Sequence, residues 1–335
     1  MANLLPKIAV LGAGSWGTAL ALHLVRQAHS PVCLWSHSAS AAERMQQARV
    51  NEKYLPHNNF PDALVVTHDL ATAVHEASDI LIVVPSHAYC TTLTRLKPLL
   101  NLKQRLICAT KGLDEQTGTL LHTQVENILP QHLYANLSGP SFAKEVAAGK
   151  PTAVVIATRD ATFGQASVSR FNSPKFRVYL SQDIVGTEIG GAVKNVLAIA
   201  TGIADGMDLG ANARAAMMTR GLAEMVRLGV AAGGQYETLN GLAGLGDLVL
   251  TCTENLSRNR RFGLKIGAGV APDQATQEIG QVVEGYKNTR LVLNLAKQLN
   301  VEMPIIQTVD AVLNGGLALE TALLNLLSRT PKSEQ

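Results

Sequence analysis

Short, continuous apolar runs recur along the first half of the chain. Strands of a parallel sheet are covered on both faces, so they show such runs instead of an alternation of apolar and polar residues. Between the first two runs, residues at helical spacing cover 18–26, so the chain opens as strand, glycine turn, helix and strand. The runs predict strands at 7–11, 31–36, 79–85, 105–110, 133–137, 152–157 and 176–180. This half therefore predicts a parallel or mostly parallel sheet with helices on both faces.

The pattern changes near Gly190, where the strand-like runs stop and apolar residues such as Val193 and Val196 recur at helical spacing. We therefore predict an α/β fold, with an N-terminal Rossmann-type doubly wound sheet followed by an all-α C-terminal domain. The predicted bounds are 1–189 for the dinucleotide-binding domain and 190–335 for the helical, substrate-binding domain.

Composition narrows the class of protein. The 335 residues are 47% hydrophobic and 16% charged, which suits two domains with a sizeable core. A net charge of +3 is far from the basic excess of nucleic-acid-binding proteins, so we expect no nucleic-acid partner. The sequence shows no signal peptide and no uninterrupted apolar stretch long enough to span a bilayer, which predicts a cytoplasmic protein. The four cysteines lack CxxC or Cys/His ligand spacing, which predicts reduced thiols and no metal site.

A glycine motif follows the first predicted strand. Gly12, Gly14 and Gly17 form a GxGxxG set, with Ser15 and Trp16 between the last two glycines. In such a turn the first glycine permits the bend, the second lets a pyrophosphate approach, and the third lets the helix pack closely. The helix N-terminus then offers free N–H groups to phosphates. The motif predicts a dinucleotide site, and the alternative is a glycine turn that only packs tightly.

The end of the second strand bears on which dinucleotide binds. An acidic residue there would bond the ribose hydroxyls and repel a 2′-phosphate. The chain has Ser36, His37 and Ser38 instead, with Glu43 and Arg44 further on. NADP is therefore admitted and predicted to be preferred over NAD. His37 is placed to stack on adenine or to meet the phosphate, and the alternative is an exposed loop histidine.

Two lysines are candidates for the chemistry. Lys111 directly follows the run at 105–110, and ligands of open α/β sheets bind beyond the carboxyl ends of strands. Lys194 lies among small and apolar residues in the segment 190–195. Desolvation and a like charge such as Lys111 lower the pKa of a lysine, which can then protonate a carbonyl oxygen as a hydride arrives. The alternative for Lys194 is a solvent-edge lysine whose stem lies along the apolar surface.

Two further segments leave both functional and ordinary interpretations open. The small-residue loop at 138–143 is suited to lining a narrow site, or is a turn in which Ser141 caps a helix containing Glu145. At 257–261, a helix capped by Ser257 would present an arginine to a phosphate. The alternatives for that segment are a solvated basic face or a weak RNA contact.

These segments together resemble bacterial NAD(P)-dependent glycerol-3-phosphate dehydrogenase. The resemblance extends from GAGSWGTA at 12–19 to GQVVEGYKNT at 280–289, and its most specific stretch is GAVKNVLA at 191–198, continuing through 205–206 to 210–212. It implies reduction of dihydroxyacetone phosphate to sn-glycerol 3-phosphate with NADPH or NADH, as a supply for phospholipid synthesis. The alternative enzyme is a dehydrogenase of a 3-hydroxy acid or hydroxyacyl thioester with the same two-domain plan.

The same resemblance implies individual roles. Lys194 would be the general acid and base, and Lys111 would contact both substrate and cofactor and assist catalysis. Substrate would also be bound by Gly139, Ser141, Asp247, Ser257, Arg258 and Asn259. The cofactor would be bound by Gly12, Gly14, Ser15, Trp16, Gly17, His37, Lys111, Ala143, Arg258, Val282 and Glu284. Separately, exposed apolar faces expected on the helical half suggest a homodimer.

Overall fold

The fold is seen in a computed structural model, which describes residues 6–27 and 31–328. Eight strands form one sheet in the order β10-β9-β8-β7-β6-β1-β2-β5. Every neighbouring pair in this sheet is parallel except β8 with β9. The predicted mostly parallel sheet is therefore confirmed. The strands are β1 (Ile8–Leu11), β2 (Val32–Trp35), β3 (Val50–Asn51), β4 (Leu55–Asn59), β5 (Leu64–Thr67), β6 (Asp79–Ile82), β7 (Arg105–Cys108), β8 (Tyr134–Ser138), β9 (Thr152–Ala157) and β10 (Phe176–Ser181).

Helices cover both faces of the sheet. Along β1, Ile8 and Val10 belong to one hydrophobic cluster, whereas Ala9 and Leu11 belong to another on the opposite face. The helices of this half are α1 (Ser15–Arg26), α2 (Ala39–Ala48), α3 (Leu70–Val74), α4 (Tyr89–Leu96), α5 (Leu121–Ile128), α6 (Ala143–Ala147) and α7 (Ala161–Phe171). The first cluster contains side chains of α1, α2, α6 and α7, and the second those of α3, α4 and α5. This two-sided core confirms the doubly wound, Rossmann-type architecture.

Three strands lie outside the predicted set. β5 has only three apolar residues and lies at the edge of the sheet, where Val65 is 49% exposed, so no long apolar run marks it. β3 and β4 pair with each other in a separate antiparallel ribbon, and most of β4 is polar. Two predicted strands are also too long, because β6 ends at Ile82 and β7 at Cys108. The residues that follow form loops at the carboxyl edge of the sheet.

After Ser181, the described part of the chain contains helices and no further strand. The first of these helices begins at Ile184, earlier than the change of pattern near Gly190, because the Asp183 side chain caps it by accepting from the Gly186 N–H. The placement of the domain bounds at 189 and 190 stays a prediction. The helices are α8 (Ile184–Gly206), α9 (Gly210–Ala231), α10 (Tyr236–Leu239), α11 (Asp247–Thr253), α12 (Arg258–Gly267), α13 (Pro272–Ile279), α14 (Glu284–Gln298), α15 (Pro304–Gly315) and α16 (Leu319–Leu327).

Helix α8 is the centre of this half. By length and composition alone it is long and apolar enough to cross a membrane, although Glu188 and Lys194 interrupt its apolar sequence. However, 94% of its most apolar window is buried inside the protein. A helix that is apolar all round is typical of a core position as well as of a membrane span, and the packing accounts for its composition.

Glycines let α12 approach α8 unusually closely. A Cβ atom at Gly263 would lie 2.2 Å from the Ile199 carbonyl oxygen, and one at Gly202 would lie 2.3 Å from the Arg260 carbonyl oxygen. One turn further on, Gly206 and Gly267 meet in the same way. Two helices with no side chains at these contacts pack backbone to backbone, which fixes the position of α12 against α8.

This packing predicts a specific stability effect. Gly263→Ala is expected to lower the free energy of unfolding by about 2 kcal/mol or more, because the new methyl group overpacks a rigid backbone contact. Gly315→Ala is the matched control, because Gly315 also lies in a helix but a Cβ atom there meets nothing within 4 Å. Urea denaturation measures both variants. Equal stability of the two variants would contradict the close contact.

Candidate active site

The glycine turn after β1 has the shape that a dinucleotide requires. Gly12 has φ +121°, and a Cβ atom there would lie 2.7 Å from the Val83 carbonyl oxygen, so only glycine fits. A Cβ atom at Gly17 would lie 1.9 Å from the Gly12 carbonyl oxygen, so the helix packs directly on the turn. A Cβ atom at Gly14 would meet no atom within 4 Å, and Gly14 caps α1 without a side-chain hydrogen bond. The first N–H groups of α1 are therefore left for a ligand's phosphates.

A polar atom without a partner lies beside this turn. Trp16 packs against the hydrophobic cluster on this face of the sheet, and its indole Nε1 is buried without a hydrogen-bond partner among the described residues. Buried donors are rarely left unpaired in folded proteins, so an acceptor on a bound ligand would complete this one. The open cradle at Gly14 and this donor fit the dinucleotide expected from the sequence.

The end of β2 keeps the features read from the sequence. Ser36 is buried, and Ser38 caps α2 by accepting from the Ala41 N–H. His37 and Arg44 are exposed, without a carboxylate between β2 and the start of α2. Exposure of His37 agrees with a loop histidine and with a ligand contact, so its role stays a prediction.

Two lysines meet one buried carboxylate beyond the ends of β7 and β8. Lys194, on α8, is only 8% exposed, and its Nζ donates to Thr251 Oγ1 at 2.8 Å and lies 3.2 Å from Asp247 Oδ1. Lys111 Nζ pairs with the other oxygen, Oδ2, of Asp247 and donates to the Gly139 carbonyl oxygen at 3.1 Å. The interpretation of Lys194 as a solvent-edge lysine is therefore wrong.

The electrostatics of this cluster follow from its burial. Burial lowers the pKa of the Lys194 ammonium to about 8; the Asp247 carboxylate opposes this effect, and the charge of Lys111 adds to it. Burial alone would raise the pKa of the Asp247 carboxyl, but Lys111 and Lys194 outweigh it and hold that pKa below its ordinary value. The result is an ionised carboxylate beside a lysine able to exchange its proton near neutral pH.

Thr251 is a residue of this cluster that the sequence analysis missed. It lies one helical turn after Asp247 on α11, and its hydroxyl donates to the Asp247 carbonyl oxygen at 2.6 Å while accepting from Lys194. Its hydroxyl hydrogen is thereby committed, so the oxygen lone pair faces the ammonium. The i, i+4 spacing of Asp247 and Thr251 on an apolar helix was the available signal.

The loop after β8 supplies the wall beside Lys111. Gly139 has φ +131°, and Ser141 Oγ donates to its carbonyl oxygen at 3.0 Å. The residue that caps α6 is Phe142, without a side-chain hydrogen bond, so the interpretation of Ser141 as a helix cap is wrong. Ala143 begins α6 and is partly buried.

The start of α12 is built as a capped helix terminus. Ser257 Oγ accepts from the Arg260 N–H at 3.2 Å, as the sequence predicted. Asn259 is buried, and its side-chain amide is fully engaged. Its Nδ2 donates to Asn195 Oδ1 at 2.8 Å, and its Oδ1 accepts from the Gly285 N–H at 2.9 Å. Asn195 adjoins Lys194, so the helix terminus is hydrogen-bonded to the lysine's own helix.

The basic segment at 257–261 is not a solvated face throughout. Arg260 is 6% exposed and donates to the Cys252 carbonyl oxygen at 2.9 Å, whereas Arg261 is exposed. Arg258 is partly buried and donates to Gln281 Oε1 at 3.4 Å. Of these three arginines, Arg258 lies within electrostatic range of the Glu284 carboxylate on α14.

The last of the predicted residues lie at the start of helix α14. Glu284 accepts from Ser86 Oγ at 2.9 Å, and burial raises the pKa of its carboxyl above the ordinary value. Ser86 belongs to the loop after β6, whose Val83 also touches Gly12, so this loop connects the glycine turn to α14. Val282 precedes Glu284 and is partly buried. The structure thus brings the predicted residues to one edge of the sheet, with His37 at its outer end.

The chain is similar to known dehydrogenases over nearly its whole length. Residues 7–164 match the description of the NAD-dependent glycerol-3-phosphate dehydrogenase N-terminus, and residues 183–324 match that of its C-terminus. Relatives named NAD(P)+ glycerol-3-phosphate dehydrogenase, from Haemophilus ducreyi and Shewanella halifaxensis, are each 50% identical over 329 residues. The alignments cover 98% of this chain and 98% and 97% of those relatives.

A solved structure shows the same similarity in three dimensions. The crystal structure of glycerol-3-phosphate dehydrogenase from Coxiella burnetii superposes with a TM-score of 0.94 and 50% identity, covering 97% of this chain and 99% of that one. The sequence and structural similarities agree with each other. They favour this family over the hydroxy-acid or hydroxyacyl thioester alternative.

The buried carboxylate predicts how stability depends on pH. Asp247→Asn is expected to cost about 3 kcal/mol or more near pH 7, because two ammonium groups then face each other without a counter-charge. Loss of the Asp247 charge lowers the pKa of Lys194 further in the folded variant, so the folded state binds protons less firmly than the unfolded chain. The deficit is therefore expected to shrink between about pH 7 and about pH 9.

Urea denaturation at several pH values checks this expectation. Asp273→Asn is the control, because Asp273 is exposed in the first turn of α13 and contacts neither lysine. A deficit for Asp247→Asn that does not change with pH would contradict the proposed pairing of charges.

Proposed function

The chain belongs to the family of NAD-dependent glycerol-3-phosphate dehydrogenases, and from this premise we propose how its buried lysine cluster performs the reaction. The protein is an NAD(P)-dependent oxidoreductase that interconverts dihydroxyacetone phosphate and sn-glycerol 3-phosphate. The observation that supports the proposed mechanism most directly is the contact of Lys194 Nζ with Thr251 and Asp247 at the carboxyl edge of the sheet.

The glycine turn and α14 are the parts of the site that would hold the cofactor. When bound, the nicotinamide supplies the hydride to C2 of the ketone or takes it from C2 of the alcohol. The N–H groups at the start of α1 would bind the pyrophosphate, and the buried Nε1 of Trp16 would find its acceptor. We propose contacts also for Ser15, His37, Lys111, Ala143, Arg258, Val282 and Glu284.

Substrate is held by its phosphate at the start of α12. Arg258 and the N–H groups of this helix terminus provide a positive charge and donors suited to a phosphate. The side-chain amide of Asn259 is engaged with Asn195 and Gly285, so it acts by fixing the terminus and its backbone donors. With the phosphate fixed, the reacting carbonyl is directed towards the lysine cluster, between Gly139, Ser141, Ser257 and Asp247.

Lys194 gives its proton to the carbonyl oxygen during reduction and takes it back during oxidation. Thr251 and Asp247 hold its Nζ in one place, so the donor needs little rearrangement as charge develops on the oxygen. Lys111 stabilises that charge with its ammonium group, while Asp247 keeps both ammonium groups close together despite their repulsion. A pKa of about 8 lets Lys194 act in both directions near neutral pH.

Three further properties are proposals about the cellular role. We propose that NADPH is preferred, that the protein acts in the cytoplasm, and that net flux runs towards glycerol 3-phosphate for phospholipid synthesis. The absence of a carboxylate at Ser36–Ser38 supports the first proposal.

We also propose a homodimer formed through the helical half, where Val230, Tyr236 and Val249 are exposed apolar side chains. Light scattering distinguishes this dimer from a 35.6 kDa monomer.

The proton-transfer role predicts opposite pH profiles for the two directions. Reduction needs protonated Lys194, so kcat/KM for reduction is expected to be level below about pH 8 and to fall above it. Oxidation needs the neutral amine, so kcat/KM for oxidation is expected to rise up to about pH 8.

Lys194→Ala is expected to lose about a thousandfold or more in kcat, while the dissociation constant for NADPH stays nearly unchanged. Absorbance at the nicotinamide band measures the rates, and fluorescence titration measures cofactor binding.

Lys297→Ala is the control for this experiment, because Lys297 is an exposed lysine on α14 without a recorded contact to the cluster. It is expected to keep wild-type rates and both pH profiles. Turnover near wild type in Lys194→Ala would overturn the assignment of the proton donor.

The end of β2 predicts a change of cofactor preference. Ser36→Asp is expected to lower kcat/KM for NADPH by about tenfold or more relative to NADH, because a carboxylate there repels a 2′-phosphate. Gln47→Glu adds the same charge to an exposed position near the far end of α2 and is expected to leave the ratio unchanged. An unchanged ratio in Ser36→Asp would place the adenosine phosphate elsewhere.

A further inference from the structure

Helix α14 touches two loops at the carboxyl edge of the sheet with residues one turn apart. Glu284 accepts from Ser86 in the loop after β6, and Asn288 Oδ1 accepts from the Leu113 N–H, in the loop after β7, at 3.1 Å. The second loop also contains Lys111. A helix from the C-terminal half thus holds the backbone of a segment from the sheet, two residues away from one of the reacting lysines.

The environment of Asn288 fixes the orientation of its amide. The residue is completely buried, and because Leu113 N–H needs an acceptor, the oxygen points to Leu113. The other atom, Nδ2, is buried and has no hydrogen-bond partner within 6–27 and 31–328, the residues that the structure describes. The amide packs against Gly112, where a Cβ atom would come within 2.7 Å of Nδ2. Gly112 has φ +142°, so its conformation and the approach of Asn288 both require glycine.

Leu113 ties the same loop to the helical half by its side chain. Leu113 is completely buried and belongs to the hydrophobic cluster built around α8, although it comes from the loop after β7. On the other side of Gly112, Lys111 reaches Asp247 and the Gly139 carbonyl oxygen. The position of Lys111 therefore depends on how the backbone at 112–113 is held.

We propose that Asn288 is a positioning residue for the dehydrogenase reaction, which holds the loop at 111–113 so that Lys111 stays paired with Asp247. This inference rests on the proposed roles of Lys194 and Lys111. Asn288 contacts neither reacting group; it acts through the Leu113 N–H and the packing on Gly112. A helix of the C-terminal half thereby sets the charge distribution around Lys194.

Because Nδ2 is unpaired, a substitution can distinguish this role from a purely structural one. Leucine has nearly the same shape as asparagine and would bury no unpaired donor at this place, but it would leave the Leu113 N–H without an acceptor. The two effects oppose each other in stability, whereas only the lost acceptor affects the loop. Asn288→Leu is therefore expected to change activity much more than stability.

The experiment compares Asn288→Leu with Thr289→Val. Thr289 is equally buried on the same helix, but its hydroxyl donates only to the Gly285 carbonyl oxygen of α14. For Asn288→Leu we expect kcat for ketone reduction to fall about tenfold or more, since small displacements of reacting groups have large effects on rate. The dissociation constant for NADPH, measured by fluorescence titration, is expected to change less than about threefold. Thr289→Val is expected to keep wild-type values.

The pH profile gives a readout that a merely structural role would not move. The charged and titratable groups around Lys194 are Asp247 and Cys252 on α11 and Lys111 on the loop after β7. If Lys111 moves away, its repulsion of the Lys194 ammonium is lost and Asp247 pairs with Lys194 alone. The fall of kcat/KM for reduction at alkaline pH is therefore expected to move to higher pH in Asn288→Leu. If that variant does not fold, Asn288→Ala also lacks the acceptor and carries the same expectation.

The outcomes separate the two proposals. If the wild type lacks an alkaline limb near pH 8, the proposed role of Lys194 is wrong. If the wild type shows the limb but the folded Asn288 variant keeps both its kcat and the position of the limb, the role of Asn288 is wrong. A lowered kcat with a shifted limb in the Asn288 variant, and not in Thr289→Val, supports the inference.

Discussion

The active site depends on one carboxylate that lies between two ammonium groups away from water. Without Asp247, Lys111 and Lys194 would repel each other in a medium that screens charge poorly, and the loop and helix that carry them would separate. With it, burial still leaves the pKa of Lys194 at about 8, low enough for proton exchange. The same interaction joins the two halves of the chain, because Lys111 comes from the sheet, whereas Lys194 and Asp247 come from the helices.

Close helix packing makes this arrangement possible. The glycines shared by α8 and α12 bring the helix terminus at Arg258 against the helix that carries Lys194. Gly285 permits a similar approach of α14, where a Cβ atom would lie 2.5 Å from the Asn195 carbonyl oxygen. The amide contacts of Asn259 with Asn195 and Gly285 then link all three helices. The start of α12, the helix that carries Lys194 and the start of α14 are therefore positioned by one set of contacts.

Much of this could be predicted from sequence. Continuous apolar runs marked the buried strands, and the GxGxxG turn after β1 marked the cofactor edge, because both follow from local rules. The edge strand β5 was missed, since a short, half-exposed strand has no long apolar run. The burial of Lys194 was left undecided by the pattern alone, and Thr251 and Asn288 were missed. Their roles arise from contacts between segments distant in sequence, which no local spacing specifies.

In the proposed mechanism, Lys194 is a buried proton donor whose pKa is lowered by its surroundings. The most direct test is a pH titration of the lysine side-chain NMR signals of the ¹³C-labelled protein, with the Lys194 signal assigned by its loss in Lys194→Arg. A midpoint near 8 is predicted for Lys194, well below the ordinary value for lysine. A midpoint for Lys194 that coincides with those of the exposed lysines would contradict it.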